Sequence, residues 1–124
     1  FGTASEKPLC EQVGAAIGKA GIHAVNLAGA TSLREFIQLA AACHVFLTND
    51  SGSMHIASAL NVPTVAIFGA TDHVGTGPTG DRARIVREHV DCSPCLLRDC
   101  PIDHRCMTAV TSERVALTAL ELLK

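Results

Sequence analysis

The 124-residue sequence has no tryptophan and no tyrosine, and aromatic residues make up only 3% of it against 48% hydrophobic residues overall. A core must therefore be built from Ala, Val, Leu and Ile, sizes that suit close packing of helices on a sheet. No apolar run approaches the ~20 residues a membrane-spanning helix needs, and the first residues do not read as a signal peptide. A basic block is also missing. Ten Lys and Arg stand against twelve Asp and Glu, a formal net charge of −2, which argues against a nucleic-acid surface. There is no G-x-G-x-x-G, so the phosphate fingerprint of nicotinamide and flavin sites is absent. The length suits one domain with its own core.

What is there is organised around Val45 to Asp72. Val45-Phe46-Leu47-Thr48 is a short apolar run of the kind a buried parallel strand shows. Asn49-Asp50-Ser51-Gly52 interrupts it with four turn-formers. Met54, Ala57 and Ala59-Leu60 supply the inner face of a short helix, which Asn61-Val62-Pro63 ends, since the residue before a proline is pushed out of the helical region. Thr64 to Phe68 reads as a second buried strand, and Gly69-Ala70-Thr71-Asp72 as a second polar turn. Ligands of open α/β sheets bind at the carboxyl edge of the strands. A helix starting at Ser51 to Ser53 would point free N–H groups there, a place for phosphate. Asp50 adds a carboxylate for hydroxyls, and His55 lies one helical turn on. Phosphate donors beside such a carboxylate suggest a nucleotide-linked sugar.

Before this stretch, Thr3 or Ser5 caps a helix expected from Glu6 to Ala20, with Leu9, Val13, Ala16 and Ile17 at helical spacing. His23 to Leu27 reads as a strand. Ser32 and Glu35 have the spacing of a capping box for a helix from Leu33 to Ala42, whose core face is Phe36, Ile37, Leu39 and Ala40. After it, His73 to Gly80 reads as a loop, Ala83 to Val86 as a short strand, and Ser112 or Glu113 to Leu123 as a last helix with Val115, Ala116, Leu120 and Leu123 inward. The order strand, helix, strand, helix, strand from Val25 to Phe68 predicts right-handed crossovers. The fold class is α/β, a Rossmann-like parallel sheet with helices on both faces.

The pattern Asn49-Asp50-Ser51-Gly52-x-Met54-His55-x-Ala57-x-Ala59-Leu60-x-x-Pro63-Thr64-Val65-x-x-Phe68-Gly69-x-Thr71-Asp72 resembles the signature of the heptosyltransferases, the family 9 glycosyltransferases. The later Cys92-Ser93-Pro94-Cys95 and Cys100-Pro101-Ile102-Asp103-His104-Arg105-Cys106-Met107 resembles the tail of the heptosyltransferase II branch. The resemblance implies the C-terminal half of a GT-B enzyme, with residues 1–124 as a single truncated nucleotide-sugar-binding domain and the N-terminal acceptor domain absent. Phe1-Gly2, with no Met before it, reads likewise as a strand end inside a longer protein. The implied reaction is inverting transfer of heptose from ADP-heptose to the lipopolysaccharide inner core, in the cytoplasm at the inner face of the inner membrane, with no cofactor and no transmembrane segment but with peripheral membrane association open. On the same resemblance Glu6 contacts the ribose, Thr31, Ser32 and Leu33 line the adenine pocket, Asp50 meets the donor sugar, and Ser51, Gly52 and His55 complete the donor site. No catalytic residue falls in this stretch, because the family's base lies in the first domain and a phosphate-contacting Lys lies upstream of Phe1. Such a piece is expected to bind donor weakly, to transfer nothing, and to leave dimerisation or strand swapping open through an uncovered edge or face.

Each of these residues also has a plain structural role to offer. Glu6 suits a helix N-terminus electrostatically, as does Asp50, and Ser32 suits a cap. Cys92, Cys95, Cys100 and Cys106 follow C-x2-C-x4-C-x5-C, a spacing that suggests a structural metal, although the last pair is not tight. A reduced, packed or locally oxidised cluster is the other reading. Cys10 and Cys43 read as small core residues. Two further functions stay open: another nucleotide-sugar transferase or epimerase, and a non-catalytic Rossmann-like module with a structural metal.

Overall fold

The computed structural model describes residues 1–124, and the chain divides into two compact units, Phe1–Phe36 and Ile37–Lys124.

The first unit opens with a 3-10 turn, Ala4–Glu6, that runs into helix α1, Lys7–Lys19. Thr3 is the cap, not Ser5, and the Glu6 carboxylate closes the box by accepting from the Thr3 N–H at 2.6 Å and the Thr3 hydroxyl at 2.7 Å. Pro8 stands in the first turn of α1, where a missing N–H costs nothing. The apolar spacing of α1 is as read, but no residue of the helix is buried. Leu9 and Val13 are more than half exposed and line an open groove of about 270 Å3 with Phe1, Ile17 and Val25.

The expected strand at His23 to Leu27 does not form. A strand needs a neighbour to take its ladder hydrogen bonds, and none does. The Asn26 side chain instead accepts from the Ala28 N–H at 3.0 Å and donates to the Lys7 carbonyl at 3.4 Å, a local turn that competes with extended pairing. Helix α2, Leu33–Ala41, follows, and the division between units falls within it. Of its expected core face, Ala40 is buried, while Phe36 and Ile37 are half-buried and Leu39 is exposed.

The second unit is a parallel sheet. Strands β1, Phe46–Asn49, β2, Thr64–Ile67, and β3, Ala83–Val86, lie in the order β1-β2-β3, with Phe46 opposite Thr64 and Thr64 opposite Ala83. Helix α3, Gly52–Ala59, makes the crossover from β1 to β2. A one-turn helix α4, His73–Thr76, stands in the expected loop, α5, Arg105–Thr108, lies in the cysteine segment, and α6, Ser112–Leu122, ends the chain. The period of two along β2 sends alternate side chains to opposite faces. Ala66 and Phe68 pack with Met54 of α3 and with Ile85, whereas Val65 packs with Val86, Ala119 and Val115 under α6. Helices thus cover both faces, as the sequence led one to expect. The inward set of α6 agrees at Val115 and differs beyond it: Val115, Ala119 and Leu122 face the sheet, and Ala116, Leu120 and Leu123 are exposed. Ala119 and Leu122 stand one position before the expected Leu120 and Leu123, because the sheet, not the helix, decides which part of a broad apolar stripe it covers.

Candidate functional site

Three strands pointing the same way bring three short segments to one edge of the second unit: Asp50 after β1, Phe68 to Asp72 after β2, and Arg87 after β3. The Asp50 N–H still bonds to the Ile67 carbonyl at 3.2 Å, so the ladder fixes the backbone up to the turn itself. Ser51 then adopts an extended conformation as the residue before α3, but its hydroxyl does not cap the helix. It lies 2.7 Å from the Ser53 hydroxyl and 3.3 Å from that of Thr48. The first-turn amides of α3 are therefore left without a side-chain acceptor, at the end of a helix that carries partial positive charge.

Gly52 and His55 are three apart and both exposed, on the face of α3 opposite Met54 and Ala57. A Cβ at Gly52 would meet nothing within 4 Å. The Asp50 carboxylate and the His55 ring form no hydrogen bond or ion pair within the chain. Asp50, Ser51, Gly52 and His55 are thus brought together, and the side chains of Asp50 and His55 are not committed to holding the fold.

The candidates of the first unit stand differently. The Glu6 carboxylate is held below the ordinary carboxylate range, first by the Thr3 hydroxyl and then by the Thr3 N–H. Ser32 and Glu35 form the expected reciprocal box: the Glu35 carboxylate accepts from the Ser32 N–H and hydroxyl, both at 2.7 Å, and the Glu35 N–H donates back to the Ser32 hydroxyl at 3.3 Å. Glu35 is lowered in the same way by Ser32. The Gly29 N–H donates to the Gly2 carbonyl at 2.9 Å, and Gly29 has positive φ and abuts Ala4. That contact sets the loop leading to Thr31, Ser32 and Leu33 against the turn that ends in Glu6. Leu33 itself is 66% exposed.

Two residues at the sheet edge escaped the sequence reading. Arg87, half-buried, directs Nη1 to within 3.2 Å of His73 Nδ1, and the His73 ring meets Phe68 edge-on. Arg87 is the cation among the residues that directly follow the three strands, the other two being Asp50 and Phe68. The signal was available in the position itself, the first residue after a strand of a parallel sheet. Asp72 serves as the cap of α4, its Oδ1 accepting from the Val74 N–H at 3.0 Å. The four clustered cysteines and their neighbours place no group of three or more His, Cys, Asp or Glu side chains to hold a metal, so the spacing does not become a ligand set.

A doubly covered parallel sheet with an uncapped helix N-terminus at the carboxyl end of its first strand defines a Rossmann-like α/β protein. The chain belongs to glycosyltransferase family 9 (heptosyltransferase), which matches residues 2–105. It is 36% identical over 122 residues to lipooligosaccharide heptosyltransferase 2 of Campylobacter jejuni serotype O:2, covering 97% of this chain and 38% of that protein. It is 48% identical over 62 residues to lipopolysaccharide heptosyltransferase 2 of Escherichia coli K12, covering 50% of this chain and 18% of that one. The structure of E. coli ADP-heptose lps heptosyltransferase II superposes with a TM-score of 0.79 at 34% identity, over 99% of this chain and 35% of that chain. The chain therefore covers at most 38% of the length of these relatives.

Proposed function

We propose that this chain is the donor-binding part, the C-terminal half of a GT-B enzyme, of a heptosyltransferase that transfers heptose from ADP-heptose to the lipopolysaccharide inner core with inversion. The observation that carries the proposal is the uncapped N-terminus of α3 beside an uncommitted Asp50, in a chain of this family. An acceptor hydroxyl attacks the anomeric carbon, its proton passes to a carboxylate base in the acceptor domain, and the bond from that carbon to the diphosphate oxygen breaks with its electron pair on ADP. The first amides of α3 offset the charge that grows on the departing diphosphate. Asp50 accepts from hydroxyls of the sugar, with Ser51, Gly52 and His55 beside it. Glu6 accepts from the ribose, and Thr31, Ser32 and Leu33 line the adenine pocket. This role asks Glu6 and Ser32 to serve the ligand while holding their caps. Glu6 has a second carboxylate oxygen for the purpose, since both Thr3 bonds go to Oε2.

No cofactor is required by this scheme. No helix is long and apolar enough to cross a membrane, and the proposed place of action is the cytoplasmic face of the inner membrane by peripheral association. The chain by itself is expected to bind donor weakly, to transfer no heptose, and to self-associate through the apolar groove along α1, which sedimentation velocity over a concentration series would report. The test of the reading is calorimetric titration of ADP and then UDP into the full-length protein, wild type beside Glu6→Ala. ADP binding selective over UDP and weakened by the substitution supports it. Preference for UDP would move the proposal to another nucleotide-sugar enzyme.

A further inference from the structure

Cys92, Cys95, Cys100 and Cys106 line one small cavity of about 90 Å3, together with Arg98 and Arg105, and all six cysteines of the chain are free thiols. Cys100 differs from the others in its surroundings. Its Sγ accepts the His104 N–H at 3.4 Å. The Ile102 amide, then that of His104, hold the Cys100 thiol below the ordinary cysteine range, against partial desolvation and the nearby Asp103 carboxylate. Asp103 is itself paired with Arg105 at 3.0 Å. The thiolate is the attacking form of cysteine, and three further thiols share its cavity.

We propose that Cys100 is a thiol–disulfide exchange site that reacts with small-molecule disulfides and is resolved by a second cysteine lining the same cavity. The Cys100 sulfur attacks one sulfur of the small disulfide, a protein–small-molecule bond forms, and one thiolate leaves. The second cysteine loses its proton to solvent and attacks Cys100 Sγ. An internal disulfide forms, and the second small thiolate leaves. The protein pair is oxidised by two electrons, and the small disulfide is reduced to two thiols. The bond is made in a segment fastened to the carboxyl end of β2. Ser93 Oγ donates to the Gly69 carbonyl at 2.6 Å, and the Cys95 and Leu96 N–H groups donate to the Ala70 carbonyl at 3.0 and 2.8 Å. Met107 Sδ fills the space that a side chain on Gly69 would need. The internal disulfide therefore ties down the segment that backs the Gly69 to Asp72 turn.

The test is reaction of the reduced chain with oxidised glutathione near neutral pH, followed by intact mass and peptide mapping against time. The expected result is mixed-disulfide formation at Cys100 on the order of tenfold faster than at the exposed Cys95, then loss of the glutathione and recovery of an internal disulfide that contains Cys100. Cys100→Ser should remove the fast phase with its circular dichroism unchanged, and the wild-type map decides the matter even if that variant misfolds. Equal rates at Cys95 and Cys100, an internal disulfide without Cys100, or a mixed disulfide that persists unresolved would each overturn the proposal. None of these readouts depends on donor binding.

Discussion

Helices α1 and α6 are of similar length, 13 and 11 residues, and both carry apolar residues at helical spacing, yet they end up differently. Helix α6 lays Val115, Ala119 and Leu122 on Val65 and Val86 of the sheet. Helix α1 buries nothing and leaves Leu9 60% and Val13 53% exposed. The difference lies across from the helix and not in it. The second unit offers α6 a sheet face with side chains at a period of two, whereas in the first unit the run from His23 to Leu27 makes no ladder and provides no such face. Fully burying one Leu or Val side chain is worth about 1.5–3 kcal/mol, so the first unit forgoes most of what its amphipathic helix could contribute. It is held instead by two capping boxes, the Asn26 bonds, the Gly29 contact and the edge-on meeting of the Phe1 and Phe36 rings.

Truncating one apolar side chain in each unit should separate the two helices' surroundings most widely. Phe68→Ala, in the core of the second unit at 1% exposure, should cost about 3–5 kcal/mol in urea unfolding. Leu9→Ala, on α1, should stay within about 0.5 kcal/mol. Comparable losses from the two would mean that α1 is packed after all. In the first unit the sensitive position is expected at a turn. Gly29 has φ of 68°, and a Cβ there would come within 2.7 Å of the Ala4 Cα, so Gly29→Ala should cost about 1–3 kcal/mol by thermal melting. A neutral result would show that this turn does not hold the unit together. On α6 the Thr111 hydroxyl accepts the Arg114 N–H at 3.3 Å, and Thr111→Ala should cost about 1 kcal/mol.

The smallest effect concerns pH. The carboxylates of Glu6 and Glu35 are held below their ordinary range by their capping partners. Their folded pKa values are therefore depressed relative to the unfolded chain. The sign follows: the stability they contribute is present above the ordinary glutamate range and is lost as pH falls through the lowered values. Glu35→Gln should thus lower stability near neutral pH slightly and flatten the acid limb of a stability-versus-pH curve. An acid limb as steep as in wild type would remove Glu35 from the account.

What the sequence made legible follows from which contacts are local. The three strands of the sheet, the turn at Asn49 to Gly52, the ends of α3 and the Ser32–Glu35 box all rest on residues within a few positions of one another, and each stands within a residue or so of where it was read. The strand at His23 to Leu27 was misread because its five apolar-rich residues describe a strand only when a neighbour supplies the ladder. Ala116, Leu120 and Leu123 of α6, expected inward beside Val115, and the exposure of Leu39 were misread for the same reason, since the partner surface selects the stripe. At the candidate site, Asp50, Ser51, Gly52 and His55 were legible as a contiguous motif. Arg87 and His73 were not, because 14 residues separate them and only the parallel order of β2 and β3 brings them to one edge.

Whether the α3 N-terminus receives the donor's diphosphate, as proposed, is decided at Gly52. A methyl group there meets nothing in the protein within 4 Å, so Gly52→Ala should leave the fold unharmed or slightly more stable. The same methyl would stand where a phosphate approaches the first amides. Calorimetric titration of ADP into the full-length protein, wild type beside Gly52→Ala, with melting curves for both, should show affinity reduced by about tenfold or more, or about 1.4 kcal/mol, at a melting temperature no lower than that of wild type. Equal ADP affinity in the two proteins would contradict the claim and leave α3 as a crossover helix alone.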